Sequence, residues 1–124
     1  MRRSDQRRAA VFALYQDEVT GRPVGDTIDD AAPFTRELVA GVESHRDELD
    51  AEIARLAHGW KLDRIAALEK SILRVALYEI HHRDDIPDEV AIDEAVTLAK
   101  SYCGADAPAF VNGILGTAAR AETA

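Results

Sequence analysis

The stretch Glu69-Lys70-Ser71-Ile72-Leu73-Arg74-Val75-Ala76-Leu77-Tyr78-Glu79-Ile80 decides the fold class. Ile72, Leu73, Ala76, Leu77 and Ile80 recur at spacings of three and four, the period of an α-helix. With Ile65 and Leu68 upstream, the apolar face is wide enough to be covered by more than one partner helix. Lys61-Leu62-Asp63-Arg64 before it reads as a short separate first turn.

The rest of the chain supplies those partners. A first helix is expected over about 4–20, with Val11, Leu14, Tyr15 and Val19 on one face and Gly21-Arg22-Pro23 as its stop. Residues 24–32 are polar and read as a loop. A second, continuous long helix is expected from Pro33 to Gly59 on the stripe Phe34, Leu38, Val42, Leu49, Ile53, Leu56, with Trp60 packed back as a corner anchor. Pro87, Asp88 and Glu89 make a good helix start, since acids complement the positive end of the macrodipole. That helix carries Val90, Ala91, Ala95, Leu98, Ala99 and Tyr102 as its apolar side and ends at Gly104. Asp106 is a candidate N-cap for a last helix with Phe110, Val111, Ile114, Leu115 and Ala118. Gly113 inside it suggests a close helix contact, and residues 121–124 are expected to fray. No strand pattern, repeat or linker is visible. The expectation is all-α: one compact helical bundle over residues 1–124.

Charge and chemistry narrow the function. The chain has 124 residues and a net charge of -8. Residues 1–8 hold four Arg against one Asp, a surplus of +3, so the remainder carries -11. Only this basic arm could engage phosphates, although a solvated helix start explains it equally on charge alone. As a polar terminus the arm is expected to be mobile. No apolar run could span a bilayer, and the single Cys103 excludes an internal disulfide, so the cytoplasm is the default compartment. Neither a metal-binding motif of recognisable spacing nor a phosphate loop is present. His81 and His82 read as residues satisfying last-turn carbonyls, and Cys103 as a buried, inert thiol. No catalytic constellation, metal or cofactor is expected. A DNA-reading helix pair is also absent, for want of an Arg/Lys/Asn/Gln-rich face.

Three stretches together resemble the NusB family of bacterial transcription antitermination factors. They are Arg7-Arg8-Ala9-Ala10-Val11-Phe12-Ala13-Leu14-Tyr15-Gln16, the 69–80 segment with Ile86-Pro87, and Val90 to Lys100 followed by Phe110-Val111-Asn112-Gly113-Ile114-Leu115. The resemblance implies two small helical sub-bundles packed at an angle. It also implies binding of single-stranded boxA RNA together with ribosomal protein NusE, in the RNA polymerase complex that transcribes rRNA operons, with no catalysis. Carried onto this chain, the resemblance assigns Arg2, Arg3, Arg7 and Arg8 to RNA phosphates, and Phe110 and Asp106 to the RNA surface. Periodicity alone would place Phe110 in the core, and plain N-capping would explain Asp106. Tyr15, Glu69 and Arg74 match the NusE-facing surface, although carboxylate pairing would explain Arg74 as well. Self-association as a homodimer stays open. A helical interaction scaffold that never touches RNA is the alternative reading.

Overall fold

The computed structural model describes residues 2–22 and 31–123. Among them are six α-helices and no strand: α1 (Arg3–Thr20), α2 (Pro33–Ser44), α3 (Arg46–Leu56), α4 (Ala67–His82), α5 (Asp88–Tyr102) and α6 (Ala107–Thr123), with a 3₁₀ turn at Leu62–Arg64. Most of the 24–32 loop expected from sequence lies outside the described residues. No helix is long and apolar enough to cross a membrane, among the described residues.

α4 is the central element and packs against α1, α2, α3, α5 and α6. Two helical groups share it, α1 with α2 on one side and α5 with α6 on the other, while α3 reaches across to α6. That position explains the width of its apolar face: Ile72, Leu73, Val75, Ala76, Leu77 and Ile80 are all buried. Removing a Leu side chain from water is worth about 1.5–3 kcal/mol. Leu14, Leu38, Leu49, Ile53, Leu73, Leu77 and Leu115 are each essentially inaccessible. These residues belong to one continuous hydrophobic cluster.

A helix covered on most of its sides must also satisfy its polar residues internally. Ser71 Oγ donates to the Ala67 carbonyl at 3.0 Å. Glu79, fully buried, accepts from Arg7 Nε at 2.6 Å and Nη2 at 3.0 Å. Arg74, 3% exposed, donates to both Asp50 oxygens at 2.7 and 3.1 Å and to Glu18 at 2.9 Å. The two ion pairs tie α4 to α1 and α3.

The structure corrects four expectations. The long helix after Pro33 is two helices: His45 (φ -118, ψ 17) breaks it, its N–H shared between the Gly41 and Val42 carbonyls. The apolar stripe continues through the break, so periodicity did not register it. Close helix contact occurs at Gly41, not Gly113. A Cβ on Gly41 would lie 2.1 Å from Tyr78 Cζ, whereas one on Gly113 would meet nothing. Trp60 is not a packed anchor but is 58% exposed, and Val90 and Tyr102 are also largely exposed. His82, read as satisfying last-turn carbonyls, places its Nε2 3.1 Å from Glu48 across the bundle, and His81 Nε2 lies 2.7 Å from Glu52.

Other readings stand. Gly21 closes α1 in the left-handed region (φ 70), where an L side chain would be strained. The 3₁₀ turn is separate from α4, and α5 starts after Pro87 with Asp88 and Glu89 in its first turn.

Candidate nucleic-acid interface

The first turn of α4, the start of α6 and the turn at Trp60 enclose a cleft of about 430 Å³. Trp60, Arg64, Ile65, Ala66, Glu69, Asp106, Ala107 and Phe110 line it. Phe110 lies in the first turn of α6, half-buried, and meets the Trp60 ring edge-on at 6.4 Å between centroids. The periodicity that placed Phe110 in the core is therefore only partly right. One side of the ring packs on the core, and another borders the cleft. Such aromatic surfaces can receive an unpaired base by stacking. Asp106 is exposed, and its carbonyl accepts the Phe110 N–H at 3.3 Å, which places it just ahead of α6. Glu69 is half-buried, and burial pushes its carboxyl above the ordinary glutamate range. The cleft thus offers two rings, two carboxylates and the Arg64 guanidinium.

Of the residues that the resemblance assigns to a partner surface, Glu69 lines this cleft. The half-buried ring of Phe12 meets Tyr15 at 6.4 Å and Tyr102 at 4.9 Å, both edge-on. Tyr102 leads to Cys103, whose thiol is raised by burial and by the nearby Glu69 charge. Glu69 thus lines the Trp60–Phe110 cleft and lies near Cys103, the neighbour of Tyr102 in sequence. Arg74 does not join them. It is buried and held by Asp50 and Glu18, so the partner-surface assignment from sequence is corrected to a structural ion pair.

The basic segment lies elsewhere. Helix α1 already begins at Arg3, so most of residues 1–8 form its first turns rather than a separate arm. Arg7 is the second correction: 4% exposed, it is engaged by Glu79 and, at 3.4 Å, by Glu94, and cannot reach a phosphate. Arg2, Arg3 and Arg8 keep exposed side chains, at 83%, 52% and 46%. Each rests on an acid: Arg2 and Arg8 on Asp5, Arg3 on Asp85 at 3.2 Å. Arg3 also lies 4.4 Å above the Phe34 ring.

The site residues expected from sequence thus fall into two groups, one at each end of α4. Glu69 marks one end and Glu79, bound to Arg7, the other. Ten residues of helix separate them, roughly 15 Å at ~1.5 Å per residue. Trp60 and Arg64 are the residues that sequence reasoning missed. An exposed tryptophan at a helix break was a usable signal, because large aromatics seldom stand in water without a ligand or partner.

Comparison with known proteins places the chain among relatives. The NusB family model matches residues 4–120. A transcription antitermination protein NusB from Symbiobacterium thermophilum is 40% identical over 138 residues, covering 97% of this chain and 90% of that protein. Among solved structures, T. maritima NusB superposes with a TM-score of 0.88 at 31% identity, over 97% of this chain and 92% of that one. A chain from a crystal structure of the antitermination factors NusB and NusE in complex with dsRNA superposes at 0.85 with 25% identity, over 96% of each chain. The conserved length, helix order and sequence identity lead to one assignment: this chain belongs to the NusB family.

Proposed function

We propose that the chain acts as a transcription antitermination factor that binds boxA RNA together with ribosomal protein NusE, in the cytoplasm, by recognition and without catalysis. The observation that carries this reading is the junction at Glu69. Glu69 lines a cleft edged by Trp60 and Phe110 and lies near Cys103, next in sequence to Tyr102 of the Phe12–Tyr15–Tyr102 ring cluster, so RNA and a protein partner can share one end of the bundle. Arg2, Arg3 and Arg8 supply a second, electrostatic contact at the other end of α4. The ring surfaces suit an unpaired base, whereas the arginines suit any phosphate backbone.

The test is binding of boxA-like RNA, single-stranded and duplex, with and without NusE, across a salt series. NusE should tighten binding. Arg2→Ala with Arg8→Ala should weaken it and reduce the log–log salt slope by about 1.4 for a single strand. If NusE binds but no RNA binds at any salt, the chain is an interaction scaffold.

A further inference from the structure

A second constellation lies where the end of α4 meets the break between α2 and α3. His45 occupies the break between α2 and α3, Glu48 stands in the first turn of α3, and His82 is the last residue of α4. His45 Nδ1 lies 3.3 Å from one Glu48 oxygen, and His82 Nε2 lies 3.1 Å from the other. One donor atom from each of the three falls within 4.8 Å of the others. We propose that His45, Glu48 and His82 form a binding site for a divalent transition-metal ion of the zinc class.

The geometry is close to what such an ion requires. Tetrahedral zinc with bonds of ~2.0–2.1 Å holds its donors about 3.4 Å apart. The two nitrogen–oxygen separations are near that spacing but involve different Glu48 oxygens, so the carboxylate must turn to offer one oxygen to an ion held by both imidazoles. The remaining adjustment is between the two imidazoles, which stack at 3.8 Å with 16° between planes and must tilt so that their lone pairs converge. The wall behind them is firm. Tyr78 packs against both rings, at 5.9 and 5.5 Å, and is itself lodged over Gly41, where a Cβ has no room. The outer side is open: the His45 and His82 side chains are about one-third exposed, leaving space for a water as fourth ligand. Two imidazole nitrogens and one carboxylate select zinc, cobalt, nickel or copper over magnesium or calcium. A bound ion would fasten the start of α3 to the end of α4. It binds the folded chain, so it raises stability by mass action.

The experiment uses untagged, chelator-treated protein. Zn²⁺ titrated by calorimetry should bind once per chain, and Co²⁺ should give the intense visible bands of a four- or five-coordinate site. The thermal midpoint should rise by about 10 °C when free Zn²⁺ stands a hundredfold above Kd, with no matching effect of Mg²⁺. Glu48→Gln and His82→Gln should each weaken binding by about 100-fold, whereas His58→Ala should not. Paramagnetic Co²⁺ should broaden the NMR signals of His45 and His82 and spare His58, a reading that needs no variant to fold. Absence of saturable binding below about 1 mM, unchanged affinity in both Gln variants, or broadening centred elsewhere would overturn the site.

Discussion

At the level of single residues, arginines of similar appearance in the sequence carry different duties. Arg7 and Arg8 are neighbours in a basic run, yet one is 4% exposed and the other 46%. A helix turns ~100° per residue, so adjacent side chains cannot share a face. Arg7→Ala should destabilise the fold by about 3–5 kcal/mol, read from the urea midpoint, because it strands the buried Glu79 carboxylate. Burial already pushes the Glu79 carboxyl up. A raised carboxyl penalises the fold fully above its folded-state pKa, and the penalty fades as pH falls from there to the ordinary glutamate value, so the Arg7→Ala loss should shrink in acid. A paired Arg7→Met, Glu79→Leu variant should regain most of the stability. Glu69 carries a second pH effect. Its carboxyl is raised by burial beside the cleft, so it protonates at higher pH than an ordinary glutamate. Losing that negative charge should strengthen RNA binding as pH falls. Binding curves at pH 7.5 and 5.5 should show Glu69→Gln with a smaller pH dependence than the native chain; equal dependence would remove Glu69 from the RNA surface.

At the level of elements, α4 organises the molecule, and its approach to α2 is the tightest point found. Gly41 faces the Tyr78 ring so closely that no side chain fits. Gly41→Ala should cost about 1–3 kcal/mol in denaturant unfolding or force Tyr78 outward, even though alanine is the better helix former. Gly113→Ala meets open space and should be neutral or stabilising by up to ~1 kcal/mol. Existence and type of the helices were legible because each carries its own apolar period. The break at His45 was not, because a hinge that preserves the period leaves no mark in a hydrophobic pattern. The burial of Arg74 was equally hidden: its partners, Asp50 and Glu18, lie 24 and 56 residues away.

At the level of the whole molecule, the proposed RNA contacts divide between two ends of one helix. Phe110→Ala should weaken RNA binding by about 1–3 kcal/mol through lost stacking, and Arg8→Ala by a smaller, salt-dependent amount. The two groups share no partner and are separated by roughly 15 Å, so the double variant should equal the sum within about 0.5 kcal/mol. A large departure from additivity in a binding cycle would mean that one contact positions the other. The acidic balance of the chain, -8 overall, makes the exposed arginines at the start of α1 the natural entry point for a polyanion.

The sequence by itself determined the helical class, most helix ends, the apolar membership of the core and the family resemblance. Each rests on local spacing or on the order of short words. Only the tertiary structure decided which arginines are buried, that Trp60 joins Phe110 at a cleft, and that Glu69 lines that cleft. It also decided that three residues from a helix break, a helix start and a helix end come together. Those outcomes depend on which faces meet across tens of residues, and helical period specifies a face without naming the face it will meet.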